Sequence, residues 1–236
     1  MNNSISVIVP FFNEEVYLQK SVNRLLDINL FNEIILVDDG SVDSSAEIAR
    51  KLEKDFSEIK LIVIESQTGK GNAVKTGLKF VNSTHIIIHD ADLEYFPSDI
   101  PNMFDIAKKN PGCLVLGSRT IKGKKRVNRY KITYFANKLL TNIFSLINFY
   151  KVTDIASCYW LLETEILKKI DIKEKRFCIE VEVLSKFLKT NSKIIEVPIA
   201  YEGRLYSEGK KIKFLDGISI LSKIIYYSRL NIFNFR

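Results

Sequence analysis

The first half of the chain alternates short, almost wholly apolar runs with segments of helical period. The runs cover residues 4–10, 33–38, 60–65, 84–89 and 114–116. They are rich in β-branched residues and apolar at nearly every position, as strands covered on both faces must be. Between them, 46–56 and 72–81 carry apolar residues at helical spacing. This βαβα order predicts an α/β fold with a mostly parallel, doubly wound sheet and right-handed crossovers. Ligands of such sheets bind beyond the carboxyl ends of the strands, so the polar residues there are the candidates for chemistry.

The second half has a different pattern. Residues 119–131 hold seven Lys/Arg and no acid. A helical stretch, 132–149, follows, with Phe135, Leu139, Leu140, Ile143, Phe144 and Ile147 set opposite Asn137, Thr141, Ser145 and Asn148. A basic run leading into an amphipathic helix suits an anionic membrane surface. The segment 214–235 is also apolar-rich, interrupted by Lys223 and Arg229. It predicts a C-terminal amphipathic helical tail, 213–236, behind a main domain, 1–212. Packing on the sheet or against a second copy is the competing expectation for both helices, which keeps a homo-oligomer open.

Composition narrows the partners. An apolar content of 46% excludes a disordered chain. The net charge of +7 is uneven: 1–118 hold 11 Lys/Arg against 17 Asp/Glu, whereas 119–236 hold 24 against 11. A basic half fits nucleic acid, anionic lipid or a phosphorylated substrate. No nucleic-acid motif with interleaved stacking aromatics is present, so no nucleic-acid partner is expected. Three widely spaced cysteines suit neither a disulfide framework nor a zinc site and fit a reducing compartment. The N-terminus does not read as a signal peptide, and no run of about 18 uncharged apolar residues could span a bilayer. A cytoplasmic protein, peripheral at the inner face of the membrane, is the expectation.

Four strand ends carry candidate chemistry. The first reads Pro10-Phe11-Phe12-Asn13-Glu14-Glu15 and the second Val37-Asp38-Asp39-Gly40-Ser41. After the third strand, Gly69-Lys70-Gly71 makes a small basic turn that opens a helix. The fourth ends in Asp90-Ala91-Asp92. Two carboxylates one residue apart form a hard oxygen site suited to Mg2+ or Mn2+, which takes its remaining oxygens from a substrate diphosphate. Taken singly, Asp-Asp-Gly-Ser is more often a turn with a helix cap, and Gly-Lys-Gly is not a Walker motif. The glycine pattern of nicotinamide-binding folds is missing. It is the joint placement at consecutive strand ends that points to a site. His85 and His89 fall on the other strand face from Asp90 and read as structural.

The ordered set Val-Pro-x-x-Asn-Glu, Val-Asp-Asp-Gly-Ser, Gly-Lys-Gly, Asp-Ala-Asp-Leu and Gly-Ser-Arg resembles the family 2 glycosyltransferases of the GT-A (Rossmann-like) fold, in the dolichol-phosphate mannose synthase-like branch. Val152 to Ser157, Glu196 to Ile199 and Arg204 to Lys211 extend the likeness, which covers about residues 4 to 211. The resemblance implies an inverting, metal-dependent transfer of a hexose from a nucleotide-sugar donor, a UDP-hexose or GDP-mannose. The acceptor it implies is a membrane lipid, a polyprenyl phosphate or a diacylglycerol-type lipid. Pro10, Phe12, Glu14, Val37 and Asp39 would hold base and ribose, with Lys70 and Ala91 also on the donor side. Asp90 and Asp92 would bind the metal, with Glu94 as a further partner. Arg119, Arg204 and Lys210 would contact the diphosphate or an acceptor phosphate. Asp154 would deprotonate an acceptor hydroxyl; against an acceptor already anionic it would orient instead. Glu180 and Glu182 sit on an expected helix, 178–188, where a solvated face is the plain reading. The chain departs from its relatives at Ser157-Cys158-Tyr159, where Ser-Gly-Phe is frequent, and at Glu208-Gly209-Lys210-Lys211. The alternative from another class is a non-catalytic nucleotide- or nucleic-acid-binding module.

Overall fold

Apolar residues alternate between the two faces of the strands, and each face is buried by its own helices. The computed structural model describes residues 3–190, 193–205 and 214–230. Its strands are β1 (Ile5–Phe11), β2 (Glu33–Asp38), β3 (Ile59–Val63), β4 (His85–Ile88), β5 (Leu114–Ser118), β6 (Arg126–Val127), β7 (Trp160–Glu163), β8 (Ile194–Pro198) and β9 (Tyr201–Glu202). Seven of them form one sheet in the order β3-β2-β1-β4-β7-β5-β8, and β6 pairs with β9 alone. All neighbours in the large sheet are parallel except β7, which runs antiparallel to both β4 and β5. The sheet is therefore mostly parallel, as the sequence pattern predicts.

The helices are α1 (Leu18–Leu26), α2 (Ser45–Asp55), α3 (Lys70–Leu78), α4 (Ile100–Lys109), α5 (Lys131–Asn148), α6 (Thr164–Lys169), α7 (Ile179–Lys189) and α8 (Phe214–Tyr227). Val7 and Val9 of β1, Ile34 and Leu36 of β2, Ile87 and Val115 pack with Leu18, Leu25, Leu52 and Met103 of α1, α2 and α4. Ile8, Ile35, Val37, Ile86 and Leu116 pack with Val74, Phe144, Leu167 and Phe187 on the other face. The period-two alternation thus produces two cores and three layers. Crossovers through helices on opposite faces bring the carboxyl ends of β1, β2 and β4 side by side.

Two expectations for the second half change. In α5 the inward face is Leu140, Thr141, Phe144 and Asn148, so Thr141 and Asn148, assigned to the polar side, are buried. The Asn148 amide is satisfied locally, donating to the Phe144 carbonyl at 3.0 Å. Phe135 and Leu139, on the apolar face expected to lie on lipid, are 63% and 62% exposed, in line with exposed Ile132, Leu146 and Phe149, whereas Leu140 and Phe144 of the same expected face are buried. The helix carries apolar residues on two sides, which a single-face reading cannot separate. The helix α8 packs against α7 and α5, with Ile224 inside the core. The boundary expected at 212 lies outside the described residues. No helix among the described residues is long and apolar enough to cross a membrane.

Candidate active site

Two strained residues mark the strand ends. Asn13 after β1 and Leu93 after Asp92 both take positive φ, 51° and 63°. A leucine in the left-handed region is unfavourable unless its surroundings enforce it, and such outliers gather at functional sites.

Pro10 and Val37 lie buried at the ends of β1 and β2, and Phe12 is half-buried beside them. Glu14 is buried, and its backbone N–H donates to the Ser45 hydroxyl at 2.8 Å. Asp39 is buried too. Its carboxylate accepts from Thr68 N, Thr68 Oγ1 and Gly69 N at 2.9, 2.7 and 2.7 Å, so it fixes the turn before α3. Beside this turn opens a cavity of about 690 Å3, whose lining includes Thr68, Lys173, Lys175, Arg176, Lys223 and Tyr227.

Gly69 has φ 104°, and a Cβ there would sit 2.4 Å from the Lys175 carbonyl; at Gly71 it would sit 2.1 Å from the Glu174 carbonyl. Only glycine lets the loop before α7 lie this close. That loop is held by Glu182, which is fully buried. Its carboxylate accepts from the backbone N–H groups of Lys173 and Glu174 and pairs with Lys186 at 2.6 Å.

Lys70 opens α3, and its side chain reaches between Asp90 after β4 and Glu180 on α7. Its ammonium lies 2.8 Å from Asp90 and 2.7 Å from Glu180. Burial works against its charge, but the two carboxylates outweigh burial and hold it well above the ordinary lysine value. Burial would raise Asp90, yet Lys70 keeps it below the usual carboxylate range. Glu180 moves up, because burial exceeds what Lys70 returns. Asp92 is pushed up to about 7, first by burial, then by Glu94 and Asp90, against the opposing pull of Arg204. Arg204 reaches Asp92 at 3.2 Å and Glu14 at 3.1 Å. Glu94 accepts from the Tyr201 hydroxyl and from Arg204 N, both at 2.6 Å. Ala91 is buried between the two aspartates.

Glu14, Asp90, Asp92 and Glu180 therefore gather around Lys70 and Arg204, and Glu94 accepts from the Arg204 backbone N–H. Asp90 and Asp92, two hard oxygen ligands one residue apart and partly accessible at the rim of this acidic cluster, fit a divalent cation. The described residues contain no group of three metal-ligating side chains. Asp90 and Asp92 would hold Mg2+ or Mn2+ with oxygens lent by a diphosphate, as these ions prefer.

A second buried cluster lies at the end of β5. Arg119 grips Asp154 through Nε and Nη2, both at 2.7 Å, and its backbone N–H adds a third bond at 2.9 Å. Burial would lift the Asp154 carboxyl, but Arg119 holds it below its ordinary value. A carboxylate engaged through both oxygens is a poor proton acceptor. The neighbouring Thr153 is fixed by Glu196, which accepts from its N–H and its hydroxyl at 2.8 and 2.7 Å. The Arg119 guanidinium faces the Tyr201 ring at 4.9 Å. The side chain of Arg126 donates to the Arg119 carbonyl, and Arg129 donates to the Gly203 carbonyl. Together with Tyr130 and Tyr134, the three arginines line one narrow crevice.

Sequence reasoning brought Glu14, Lys70, Asp90, Asp92 and Arg204 to one place. Lys210 lies outside the described residues. The solvated-face reading of Glu180 and Glu182 is overturned: both are buried and both build the site. The signal was available. In Cys178-Ile179-Glu180-Val181-Glu182-Val183-Leu184 the flanking positions are apolar all round, which leaves no solvated face for either acid. His89 is structural, bridging the Ser21 hydroxyl at 3.0 Å and the Tyr159 hydroxyl at 2.8 Å.

The model of glycosyl transferase family 2 matches residues 6–171. The chain belongs to this family. It is 29% identical over 230 residues to a dolichol-phosphate mannosyltransferase of Pyrococcus furiosus, covering 96% of this chain and 63% of that protein. It is 30% identical over 241 residues to a UDP-N-acetylglucosamine–dolichyl-phosphate N-acetylglucosaminyltransferase of Methanococcus voltae, covering 94% of each. The fold matches glucosyl-3-phosphoglycerate synthase of Mycobacterium tuberculosis in complex with UDP, with a TM-score of 0.73 at 18% identity over 96% of this chain and 80% of that one. The same enzyme with Mn2+, UDP and glucosyl-3-phosphoglycerate gives 0.71 at 18% identity, over 96% and 80%. The protein is thus a family 2 glycosyltransferase with a GT-A-like fold, on the dolichol-phosphate mannose synthase-like branch.

Proposed function

We propose that the protein transfers a hexose, with inversion, from a nucleoside diphosphate sugar to a polyprenyl phosphate at a membrane surface. The observation that carries this reading is the buried Arg119–Asp154 pair next to Arg126 and Arg129. An acceptor hydroxyl would need a base, and Asp154, gripped by Arg119 through both carboxylate oxygens, is poorly placed to supply one. A phosphate acceptor is already anionic and needs only cations to hold it. The two named relatives that act with dolichol phosphate point the same way.

In this reading the donor lies over the ends of β1, β2 and β4. Its base and ribose rest against Pro10, Phe12, Glu14, Val37 and Asp39, and its diphosphate lies by Ala91, Lys70 and Arg204. Mg2+ or Mn2+ at Asp90 and Asp92 would supply charge stabilisation to the leaving diphosphate. Arg204, held beside Asp92 and Glu14, adds to it where negative charge builds, and Lys210 is the further cation that the family likeness suggests. Asp154 holds Arg119 so that its guanidinium aims the acceptor phosphate. A phosphate oxygen attacks the anomeric carbon, the bond from that carbon to the diphosphate oxygen breaks, and the nucleoside diphosphate leaves with the electron pair. One displacement at that carbon inverts it.

The test is a set of donors (UDP-glucose, UDP-N-acetylglucosamine, GDP-mannose) with polyprenyl phosphate or diacylglycerol in detergent. Nucleoside diphosphate release and the lipid product are followed by mass spectrometry, with and without EDTA. A polyprenyl-phosphate sugar, lost in EDTA, is the expected result. Transfer to diacylglycerol alone would overturn the acceptor assignment. Donor binding without turnover on any acceptor would favour the non-catalytic binding module.

A further inference from the structure

Two cations already sit on the two carboxylates that would take a metal. The Lys70 ammonium is 2.8 Å from Asp90, and the Arg204 guanidinium is 3.2 Å from Asp92. A divalent cation bound to Asp90 would come within a few ångströms of the Lys70 charge, where like charges repel strongly in a partly buried site. Lys70 cannot swing away unaided. Glu180, itself buried, holds its other side at 2.7 Å, and Glu180 stands on α7, a helix packed into the core. Gly69 and Gly71, on either side of Lys70, are pressed against the loop before α7, so the backbone beneath the lysine is fixed as well.

We propose that Lys70, aimed by Glu180, is a positioning residue that makes divalent-cation binding at Asp90 and Asp92 depend on the donor's diphosphate. This rests on the donor site proposed above. Diphosphate oxygens offer Lys70 and Arg204 new partners and offer the cation its missing ligands. Each arrival removes what opposes the other, and the two ligands bind with positive coupling. Glu180 sets the strength of that coupling, because it competes with Asp90 for the Lys70 ammonium.

Mn2+ binding, read from the electron paramagnetic resonance of the free ion, tests this without any transfer step. Wild type, Lys70→Met, Glu180→Gln and the control Lys75→Met are titrated alone and with UDP or GDP. In the wild type a nucleoside diphosphate should tighten Mn2+ binding by about tenfold or more, within the usual range of coupling. In Lys70→Met, Mn2+ alone should bind more tightly and the nucleotide should add little. Glu180→Gln should do the opposite, because the ammonium is left to Asp90. A merely structural defect would weaken binding in both variants. Lys75→Met removes a charge from the same helix without touching Asp90 and should leave the coupling factor unchanged. Unchanged or weaker Mn2+ binding in Lys70→Met, with wild-type transfer intact, overturns this proposal alone. No Mn2+ binding by any of the proteins, with transfer persisting in EDTA, overturns it together with the metal reading of the function.

Discussion

At the scale of single residues, the buried ionisable groups fall into two kinds, and mutation separates them. Asp154 is in contact with Arg119 through both oxygens. Removing its charge leaves a buried guanidinium unpaired, which typically costs about 3–5 kcal/mol. Asp154→Asn should therefore lower the unfolding midpoint and raise the KM for a phosphate acceptor, while donor affinity stays close to wild type. The pH profile of its residual activity decides its role: an orienting residue leaves the acid limb in place, whereas loss of a base removes it. His89 is of the other kind. Burial pulls its pKa down to about 4, so it stays neutral in the fold while the unfolded chain takes up a proton below about 6.5. The unfolded state then binds more protons between these values, so stability is fully present above about pH 6.5 and falls as pH drops towards 4. The span corresponds to about 3 kcal/mol. In urea melts between pH 4.5 and 7, His89→Gln should show a flatter pH dependence than wild type, whatever its absolute stability. An equal slope in both proteins would remove His89 as the source.

At the scale of elements, the loop before α7 and the Gly69-Lys70-Gly71 turn act as one unit. The Asn72 N–H reaches the Lys175 carbonyl at 3.2 Å, and Glu182 holds the loop from below. Gly71→Ala would drive a methyl group into the Glu174 carbonyl, so one of the two segments must give way. Overpacking of this kind costs about 1–3 kcal/mol. The expected kinetic signature is a raised KM for the donor with acceptor KM little changed, measured by initial rates. Wild-type donor kinetics would show that the turn does not position Lys70. This unit also explains what could be read in advance. The strands β1, β2 and β4 were legible because both faces are buried, and an uninterrupted apolar run announces that. The strand β7 was not, because Trp160–Glu163 is short and pairs antiparallel within a parallel sheet, a choice made by tertiary contacts. Asp90, Asp92 and Arg204 were legible as types at strand ends or in a family motif. The Lys70–Glu180 pair was not, since it joins residues 110 positions apart and no local pattern encodes such a meeting.

At the scale of the whole molecule, charge and apolar exposure favour one orientation. The half with an acidic balance supplies the strand ends of the proposed donor site, and the half with a basic balance supplies the crevice of Arg119, Arg126 and Arg129, with α5 directly after it. Along α5 the exposed residues Ile132, Phe135, Leu139 and Leu146 recur at intervals of three, four or seven, so they form one outward stripe, and the capping residue Phe149 is exposed at its end. The neighbouring α8 adds exposed Ile218 and Ile225, and Leu230 just beyond it is exposed as well. A stripe of this size flanked by exposed Lys122, Lys125, Lys131 and Lys138 suits the interface of an anionic bilayer, where each lysine contributes about 1 kcal/mol. Lys124 is a weaker contributor because it pairs with Asp99 at 2.9 Å, and Arg126 is spent on the Arg119 carbonyl. The two kinds of contribution respond differently to salt. Sedimentation with vesicles containing phosphatidylserine should therefore show strong binding at low ionic strength that weakens as the Debye length falls below about 10 Å. Changing Lys122, Lys125, Lys131 and Lys138 to Gln should abolish the salt-sensitive part. Phe135→Ser with Leu139→Ser should weaken binding at every salt concentration, because the apolar part is not screened. Neither set touches the donor site, so donor hydrolysis in solution should stay within about twofold, the scatter expected of surface changes. If the wild type ignores these vesicles at low salt, the stripe on α5 must instead meet another protein surface. A lipid acceptor would then have to be delivered in soluble form.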